Sequence, residues 1–361
     1  MLNRRSLLAG ATGAASMAFG GSAFPQTPAS GDLVERAKKE GKVAIYTSTD
    51  EAQGLPLVEA FKQAYGIAVD YNGIGTTDVY NRVISEAAAG QVGADIAWTS
   101  SMDLQMALAA KGLLDVYKSP EAAAFPAASI YRDTVYGTSI EPVAMLYNKN
   151  LLKADLVPTT RAGLVKLLQD HKAELKGKVC SFDPEKSGVG FLLAVTDLRN
   201  TANFWDLAKA FGAVDGKVYG SSGAMREKIV SGEHVLGFNV IGSYAMQWAK
   251  ESPAVGFAFA SDYTSAFQRV ASVTKGAPHP AAGRLFLDFM LSEKGQGILA
   301  GKGVPPLRTG YTGELDAAAL GKITGPNVKM IPVDEKLADN LNPKIRAEFF
   351  QNWKKAMRGE G

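Results

Sequence analysis

The sequence is poor in the residues that build disulfides and metal sites. It contains a single cysteine, Cys180, and three histidines among 361 residues. One cysteine cannot form an internal disulfide, and Cys180 lies in a strand-like apolar stretch, so we predict that it is a small buried hydrophobic residue. His171, His234 and His279 occur singly, at positions typical of surface or capping roles, and they predict no metal site.

Catalytic motifs and long apolar runs are also missing. The chain has no Gly-x-Ser-x-Gly elbow, no paired Cys/His site, no dinucleotide-binding glycine fingerprint and no Gly-Lys-Ser phosphate loop. We therefore expect a protein that is not an enzyme and has no cofactor, with a hydrolase as the catalytic alternative. Beyond residue 31 no apolar run approaches the ~20 residues that span a bilayer, so we expect a soluble mature chain.

Charge of one sign is not concentrated anywhere in the chain. The formal net charge is +3, from 39 Lys and Arg against 36 Asp and Glu, and it falls by two if the leader carrying Arg4 and Arg5 is removed. Basic runs are absent, which argues against a nucleic-acid partner. The roughly 330 remaining residues exceed what one hydrophobic core usually serves, so we expect two lobes.

Residues 1–31 have the pattern of an export signal and a short linker. Arg4 and Arg5 precede a stretch rich in Ala, Gly and Leu, and small residues follow at Gly21, Ser22 and Ala23. This arrangement predicts cleavage by a signal peptidase. The paired arginines resemble a twin-arginine signal, although Leu7 stands where Phe is often found, and the general secretory path fits the same residues. We predict a periplasmic protein.

Three β-α units follow one another between residues 42 and 112. Each begins with a short apolar strand, passes through a Ser/Thr cluster, and enters an amphipathic helix. The clusters are at residues 48–50, 76–78 and 99–101. Because right-handed crossovers make such strands parallel, the clusters should meet along the carboxyl edge of one sheet, where α/β folds bind ligands. The fold class predicted here is α/β.

Five segments carry a resemblance to a known family. They read VAIYTSTD (43–50), PVAMLYNK (142–149), DPEKSGVGF (183–191), LDFMLSEKGQ (287–296) and PPLR (305–308). Together with the export signal, they resemble the periplasmic substrate-binding proteins of ABC importers. Within that family, the segments are most similar to the group that contains ferric-ion, aminoethylphosphonate and sugar-phosphate binders. The resemblance covers nearly the whole mature chain.

The resemblance implies a type II periplasmic binding fold, with two α/β lobes, a two-strand hinge and a ligand cleft between the lobes. On this basis we expect lobe 1 to comprise residues 32–140 and 264–361, and lobe 2 residues 141–263. Ligand binding would stabilise a closed form by hinge bending, and a membrane ABC permease with its ATPase would distinguish that form from the open one. The expected partners are that permease and a small molecule, and we expect a monomer.

The residues at the expected cleft favour a small polar ligand with an anionic end, such as an organophosphorus compound or a sugar phosphate. Neutral hydroxyls and helix-start N–H groups bind oxyanions, and the glycines of residues 188–190 let the backbone approach closely. Carboxylates nearby would accept hydrogen bonds from hydroxyl or ammonium groups. The candidate ligand-binding residues are Ser48, Thr49, Thr77, Ser100, Glu141, Ser187, Tyr244 and Asp262. Ser and Thr are also common N-caps, and each cluster alone has that alternative role.

Ferric iron is the alternative ligand. Ferric binders of the resembled family use two adjacent tyrosines, whereas Tyr244 is followed here by Ala245. An iron site would therefore need another ligand set, drawn from Tyr46, Tyr80 or Tyr263. Stacking of Trp98 or Tyr244 on an aromatic carboxylate is a further possibility for the ligand.

Overall fold

Strands and helices alternate along the chain, as the apolar periodicity predicts. The computed structural model describes residues 31–360, and the predicted signal peptide lies outside these residues except for Gly31. The strands within this range are β1 (Lys42–Thr47), β2 (Ala68–Gly73), β3 (Ile96–Thr99), β4 (Ile130–Tyr131), β5 (Val135–Gly137), β6 (Glu141–Asn148), β7 (Val179–Phe182), β8 (Lys217–Tyr219), β9 (Leu236–Ile241), β10 (Val255–Ala258), β11 (Thr264–Phe267), β12 (Val270–Val273) and β13 (Val328–Met330).

The helices surround two separate sheets. They are α1 (Gly31–Glu40), α2 (Glu51–Tyr65), α3 (Thr76–Ala88), α4 (Met102–Ala110), α5 (Arg161–Asp170), α6 (Lys172–Leu175), α7 (Gly188–Asn200), α8 (Phe204–Ala213), α9 (Ser222–Val230), α10 (Gly242–Glu251), α11 (Pro280–Leu291), α12 (Glu293–Ala300), α13 (Ala317–Thr324) and α14 (Pro343–Met357). Short 3₁₀ segments are Pro120–Ala124, Ala127–Ser129, Ala154–Leu156 and Glu335–Leu341. None of these helices combines the length and the apolar character needed to cross a membrane.

The first sheet has the strand order β2-β1-β3-β12-β5-β4. Strand β1 pairs in parallel with both β2 and β3, which confirms the β-α units predicted from the sequence. Strand β12 joins the sheet antiparallel to β3, so the sheet is mixed. Trp98 on β3 is fully buried, and Phe61 from α2 packs edge-on against Phe286 from α11 at a centroid distance of 5.0 Å. Helix α2 ends at Gly66, whose φ of 71° is the left-handed conformation that glycine adopts without strain.

The second sheet has the order β13-β11-β6-β9-β7-β8, with β10 also paired to β6. Strand β7 runs parallel to β8 and β9, whereas β6 runs antiparallel to β9. Cys180 on β7 is buried, as predicted, and burial raises the pKa of its thiol. The two sheets are the centres of two lobes, so the predicted two-lobed α/β architecture is confirmed.

Two short crossovers connect the lobes and lie side by side. The first joins β5 to β6 through residues 138–140, and the second joins β11 to β12 through residues 268–269. Thr138 donates its backbone N–H to the carbonyl of Arg269 at 2.7 Å, and its hydroxyl donates to the same carbonyl at 3.1 Å. The predicted two-strand hinge therefore consists of two crossovers that are hydrogen-bonded to each other.

The structure differs from the expected lobe boundaries in the last hundred residues. Strand β11 and strand β13 pair with each other and lie in the second sheet, although both were expected in lobe 1. The return of the chain to lobe 1 was expected at residue 264. In the structure the chain changes lobe only after Phe267, where Gln268 and Arg269 form the crossover.

The C-terminal tail contacts both lobes. The 3₁₀ segment Glu335–Leu341 packs against α4 of the first lobe, and after the single residue Asn342 helix α14 packs against α8 of the second lobe. Phe349 of α14 contacts Phe191 and Phe204 with ring centroids 5.4 and 5.9 Å apart. The apolar face of this last helix therefore covers the second lobe.

Candidate functional site

A cavity of about 510 Å³ lies between the lobes at the carboxyl ends of the sheet strands. Residues from six helix starts or preceding loops line it: Thr47, Ser48, Thr49, Asp50, Glu51, Gly73, Ile74, Gly75, Thr76, Ser100, Phe182, Ser187, Val189, Gly220, Ser221, Ser222, Ile241 and Tyr244. Five of the eight candidate residues are among them, namely Ser48, Thr49, Ser100, Ser187 and Tyr244. Thr77, Glu141 and Asp262 are not. The cavity is the candidate ligand site.

Hydroxyl groups from two loops of the first lobe form a connected cluster at the cavity wall. Ser48 accepts a hydrogen bond from the backbone N–H of Ser100 at 3.1 Å, and the two hydroxyl oxygens lie 3.3 Å apart. The Ser48 hydroxyl also donates to Thr99 Oγ1 at 3.4 Å. Because β1 and β3 are neighbouring parallel strands, their carboxyl ends bring these loops together, as the sequence predicted.

Three hydrogen bonds fix the position of Thr49. Its backbone N–H donates to Thr47 Oγ1 at 3.0 Å, and its carbonyl accepts the phenol hydrogen of Tyr71 at 2.6 Å. Its side-chain oxygen accepts a hydrogen bond from Arg269 Nη1 at 3.0 Å. Thr49 therefore occupies a fixed position at the cavity floor.

Glu141 is not a ligand contact but one half of a buried ion pair in the hinge. Arg269 Nε donates to Glu141 Oε1 at 2.7 Å, and both side chains have an exposed fraction of 0 %. Glu141 was expected at the cleft, but it is the first residue of β6 after the crossover and lies buried behind the cavity wall. The pair leaves Glu141 Oε2 and Arg269 Nη2 buried without a hydrogen-bond partner.

Tyr244 crosses from the second lobe to the first. Its hydroxyl accepts the backbone N–H of Asp50 at 3.1 Å, and the Arg269 guanidinium carbon lies 5.0 Å from its ring centroid. Burial raises the pKa of Tyr244 to about 12, although the positive charge of Arg269 opposes the shift. The Asp50 side chain is exposed at the cavity, yet loss of hydration beside the cavity walls raises its pKa, against the lowering effect of Arg269.

The loop before α7 meets the first lobe directly. The Ser187 hydroxyl caps α7 by accepting the N–H of Gly190 at 3.2 Å, while the N–H groups of Gly188 and Val189 donate to Thr76 Oγ1 at 3.0 and 3.4 Å. These are the amides that the sequence assigned to an oxyanion, and in this structure the Thr76 hydroxyl holds them. We call this arrangement, with the lobes bonded across the cleft, the closed arrangement.

Thr77 and Asp262 have other contacts. The Thr77 hydroxyl donates to the carbonyl of Lys186 at 3.1 Å, so it joins the lobes beside the cavity. Asp262 accepts the backbone N–H of Arg161 at 2.9 Å, at the start of α5 in the second lobe. A carboxylate at a helix start is stabilised by the N–H groups there, which explains why Asp262 lies at α5 and not at the cavity.

Sequence reasoning missed the contribution of the loop at residues 220–222. Ser221 caps α9 by accepting the N–H of Ala224 at 3.2 Å, and Gly220, Ser221 and Ser222 line the cavity. The segment has the same pattern as the first-lobe clusters, a short strand followed by Ser residues at a helix start. That pattern was available in the sequence but was overlooked because β8 is only three residues long.

The electrostatics of the cavity come from helix starts and carboxylates. No lysine, arginine or histidine is among the lining residues, whereas Asp50 and Glu51 are. Helix N-termini from both lobes provide partial positive charge for an anion, and Ser and Thr hydroxyls provide donors, while Thr76 already accepts the N–H groups at the start of α7. The site therefore combines donors for an oxyanion with acceptors for hydroxyl or ammonium groups.

The tyrosines considered for iron do not line the cavity. Tyr46 donates its phenol hydrogen to Glu86 at 2.7 Å, and Tyr263 donates to Asp197 at 2.9 Å. Within residues 31–360 there is no group of three or more His, Cys, Asp and Glu side chains placed to hold a metal ion. Tyr244 is the one phenol among the lining residues.

Comparison with known proteins finds one family and several similar structures. The family described as bacterial extracellular solute-binding protein matches residues 56–320. The crystal structure of the substrate-binding protein of an ABC transporter from Agrobacterium tumefaciens is 34% identical, with a TM-score of 0.84, and the match covers 88% of this chain and 94% of that one.

Two further structures share the fold at lower identity. The periplasmic binding protein AfuA from Actinobacillus pleuropneumoniae, with fructose 6-phosphate bound, is 20% identical with a TM-score of 0.72, over 88% of this chain and 99% of that one. Iron-bound HitA from Pseudomonas aeruginosa is also 20% identical, with a TM-score of 0.68, over 87% of this chain and 99% of that one. At this identity the likeness shows the architecture, and the two proteins hold different ligands in it.

Proposed function

Because the chain belongs to the bacterial extracellular solute-binding proteins of ABC transporters, we propose that it is the receptor for a small anionic organic ligand. The ligand is an organophosphorus compound or a sugar phosphate. The receptor captures it in the periplasm after export and delivers it to a membrane permease driven by an ATPase. The protein acts as a monomer and performs no chemistry on the ligand.

One observation supports the proposal that the ligand is a small organic anion. Helix starts and hydroxyl groups from both lobes converge on one cavity of about 510 Å³ whose lining has no basic side chain but includes two carboxylates. Such a site binds an oxyanion through neutral donors, and it binds the remainder of the ligand through acceptors. A ligand with an anionic end and a hydroxyl or amine end satisfies both sets of groups.

The hinge supplies the delivery mechanism. The two crossovers are the hinge about which the lobes rotate. A ligand that contacts Ser48 and Ser100 on one side and Ser221 and Tyr244 on the other favours the closed arrangement. A ligand shifts such an equilibrium only by its preference for one state, so contacts on both lobes are required. The permease then selects the closed form.

A thermal-shift screen tests the proposal. Mature protein is stripped of ligand by partial unfolding and refolded, then titrated with fructose 6-phosphate, 2-aminoethylphosphonate, phosphoglycerate, aromatic carboxylates and ferric citrate. A ligand at 100 times its Kd stabilises the native state by about 2.7 kcal/mol, which raises Tm by several degrees. Fructose is the matched control for fructose 6-phosphate because it lacks only the anion.

The outcomes separate the candidate functions. A shift with phosphorus compounds but not with fructose supports the proposal. A shift only with ferric citrate, together with a coloured protein, favours the iron alternative through Tyr244 and carboxylates. Release of inorganic phosphate from a bound phosphate ester would instead favour the hydrolase alternative.

A further inference from the structure

The anionic ligand proposed above faces a cavity that contains two carboxylates and no basic side chain, so the compensating positive charge must lie elsewhere. Arg269 lies directly behind the cavity floor and does not line it. Its guanidinium contacts two residues that do line it: Nη1 lies 3.0 Å from Thr49 Oγ1, and Cζ lies 5.0 Å from the Tyr244 ring centroid. Arg269 is therefore one residue removed from any ligand in the cleft.

Contact with Arg269 fixes the direction of the Thr49 hydroxyl. A guanidinium has only donors, so the Thr49 oxygen must accept, and its single hydrogen must point to another acceptor. The backbone N–H and carbonyl of Thr49 are already bonded to Thr47 and Tyr71. The hydroxyl hydrogen of Thr49 is thus available to a ligand in the cavity.

Tyr244 lies beside the same cation but already has an acceptor for its phenol hydrogen. Its oxygen accepts the backbone N–H of Asp50 at 3.1 Å, and a hydrogen bond from its hydroxyl to the Asp50 carboxylate lowers the pKa of Asp50. The guanidinium lies over the face of the same ring. The Thr49 hydroxyl is consequently the donor that Arg269 orients at the cavity, and it matches a group that only accepts hydrogen bonds.

The positive charge of Arg269 acts on the residues that line the cavity. After burial it is the largest influence on the pKa of both Asp50 and Tyr244, and it lowers both, while the charge of Glu141 raises the pKa of Tyr244 and ranks below Arg269. The guanidinium also keeps Nη2 buried without a hydrogen-bond partner. Thus Glu141 compensates the charge of Arg269 in the hinge but does not cancel it at the cleft.

We infer that Arg269 is a positioning residue that makes the cleft selective for ionised oxyanions, by orienting the Thr49 hydroxyl as a donor and by placing a positive charge behind it. This inference rests on the proposed function for the identity of the ligand. It assigns the selectivity to the hinge, which is outside the cavity. The helix starts then bind the ligand, and Arg269 sets which charge state they accept.

The experiment compares variants that separate the hydroxyl from the charge. Thr49→Val removes the hydroxyl at nearly constant shape, and Thr49→Ser retains it. The double variant Glu141→Leu with Arg269→Met removes both charges, because a single replacement leaves a buried unpaired charge and endangers folding. Binding of fructose 6-phosphate and 2-aminoethylphosphonate is measured by calorimetry, and the pKa of Asp50 is measured by carbon-detected NMR.

We expect Thr49→Val and the double variant to raise Kd at least tenfold for the probe that the wild type binds, and Thr49→Ser to restore Kd to within threefold. The pKa of Asp50 should rise in the double variant but not in Thr49→Val, which a merely structural role of Arg269 would not produce. Unchanged affinity in both Thr49→Val and the double variant overturns the inference. If the wild type binds neither probe, the proposed ligand class fails, and the pKa of Asp50 in the double variant decides the inference. An unchanged pKa of Asp50 overturns it, whereas a raised pKa shows that the charge of Arg269 acts at the cleft.

Discussion

Gly188 lies where the second lobe comes close to the first. A Cβ added to it would lie 2.5 Å from Leu104 Cδ1, 2.7 Å from Ser101 Oγ and 3.0 Å from Thr76 Oγ1. All three atoms belong to the first lobe. Gly188→Ala therefore inserts a methyl group that clashes only in the closed arrangement, and we expect it to weaken ligand binding while the separate lobes stay folded.

The magnitude follows from which neighbours can move. Overpacking a tight contact by one methyl group costs about 1–3 kcal/mol. The Leu104 methyl group can rotate away, but Ser101 Oγ is held by its hydrogen bond to Asp103 at 2.8 Å. A cost of about 2 kcal/mol on closure raises Kd roughly 30-fold, since each 1.4 kcal/mol is a factor of ten.

The assay is calorimetric titration of the ligand found by the thermal-shift screen, with the radius of gyration from X-ray scattering as a second measure. Gly223→Ala is the matched control because the nearest atom to its added Cβ lies 3.9 Å away, and it should leave Kd unchanged. Gly190→Ala is the opposite control, since its Cβ would meet Phe182 within the same lobe and should lower Tm. If Gly188→Ala binds within twofold of the wild type and closes fully by scattering, the reasoning is refuted.

Three further predictions concern the cleft and its surroundings. Ser187→Ala removes the cap that accepts the Gly190 N–H, so the free energy of unfolding in urea should fall by about 1 kcal/mol, and an unchanged midpoint would contradict the capping role. Burial raises the pKa of Asp103 to about 6, above its unfolded value near 4, so the free energy of unfolding should decline as pH rises from about 4 to 6. In Asp103→Asn this decline should be smaller by roughly 2–3 kcal/mol. An equal pH dependence of the unfolding free energy in both proteins would contradict the raised pKa. Tyr244→Phe removes the acceptor for the Asp50 N–H across the cleft, so the Kd measured by calorimetry should rise about five- to tenfold. If the variant instead loses only the thermal shift caused by ferric citrate, the Tyr244 phenolate is a ligand of iron.

The fold was predictable from the sequence wherever local signals are strong. The three β-α units predicted between residues 42 and 112 are present, with β1, β2 and β3 in one sheet. These units have regular apolar periodicity and clear end signals. The lobe assignment of β11 was not predictable in this way, because it depends on pairing with β6, more than a hundred residues away.

The sequence predicted most of the Ser and Thr side chains of the site correctly, but it did not predict the roles of the charged residues. Ser48, Thr49 and Ser100 line the cavity because strand ends of a parallel sheet meet at one edge. Glu141 and Asp262 could equally bind a ligand, pair with an arginine or cap a helix, and only the tertiary structure decides between these roles. Arg269 was not among the candidate residues, because its buried position behind Thr49 arises from contact between segments 220 residues apart.

Asn342 limits how the receptor can open. The 3₁₀ segment before it packs on α4 of the first lobe and also accepts a hydrogen bond from Arg199 of the second lobe through Asn340, whereas α14 after it packs on the second lobe. One residue spans at most about 3.5 Å. The two anchoring points cannot separate further unless one of them detaches. A rigid rotation that preserves this joint and the paired crossovers must have its axis through both places, which leaves a single degree of freedom. The two lobes then rotate about one fixed axis, so each size of ligand corresponds to one angle between the lobes.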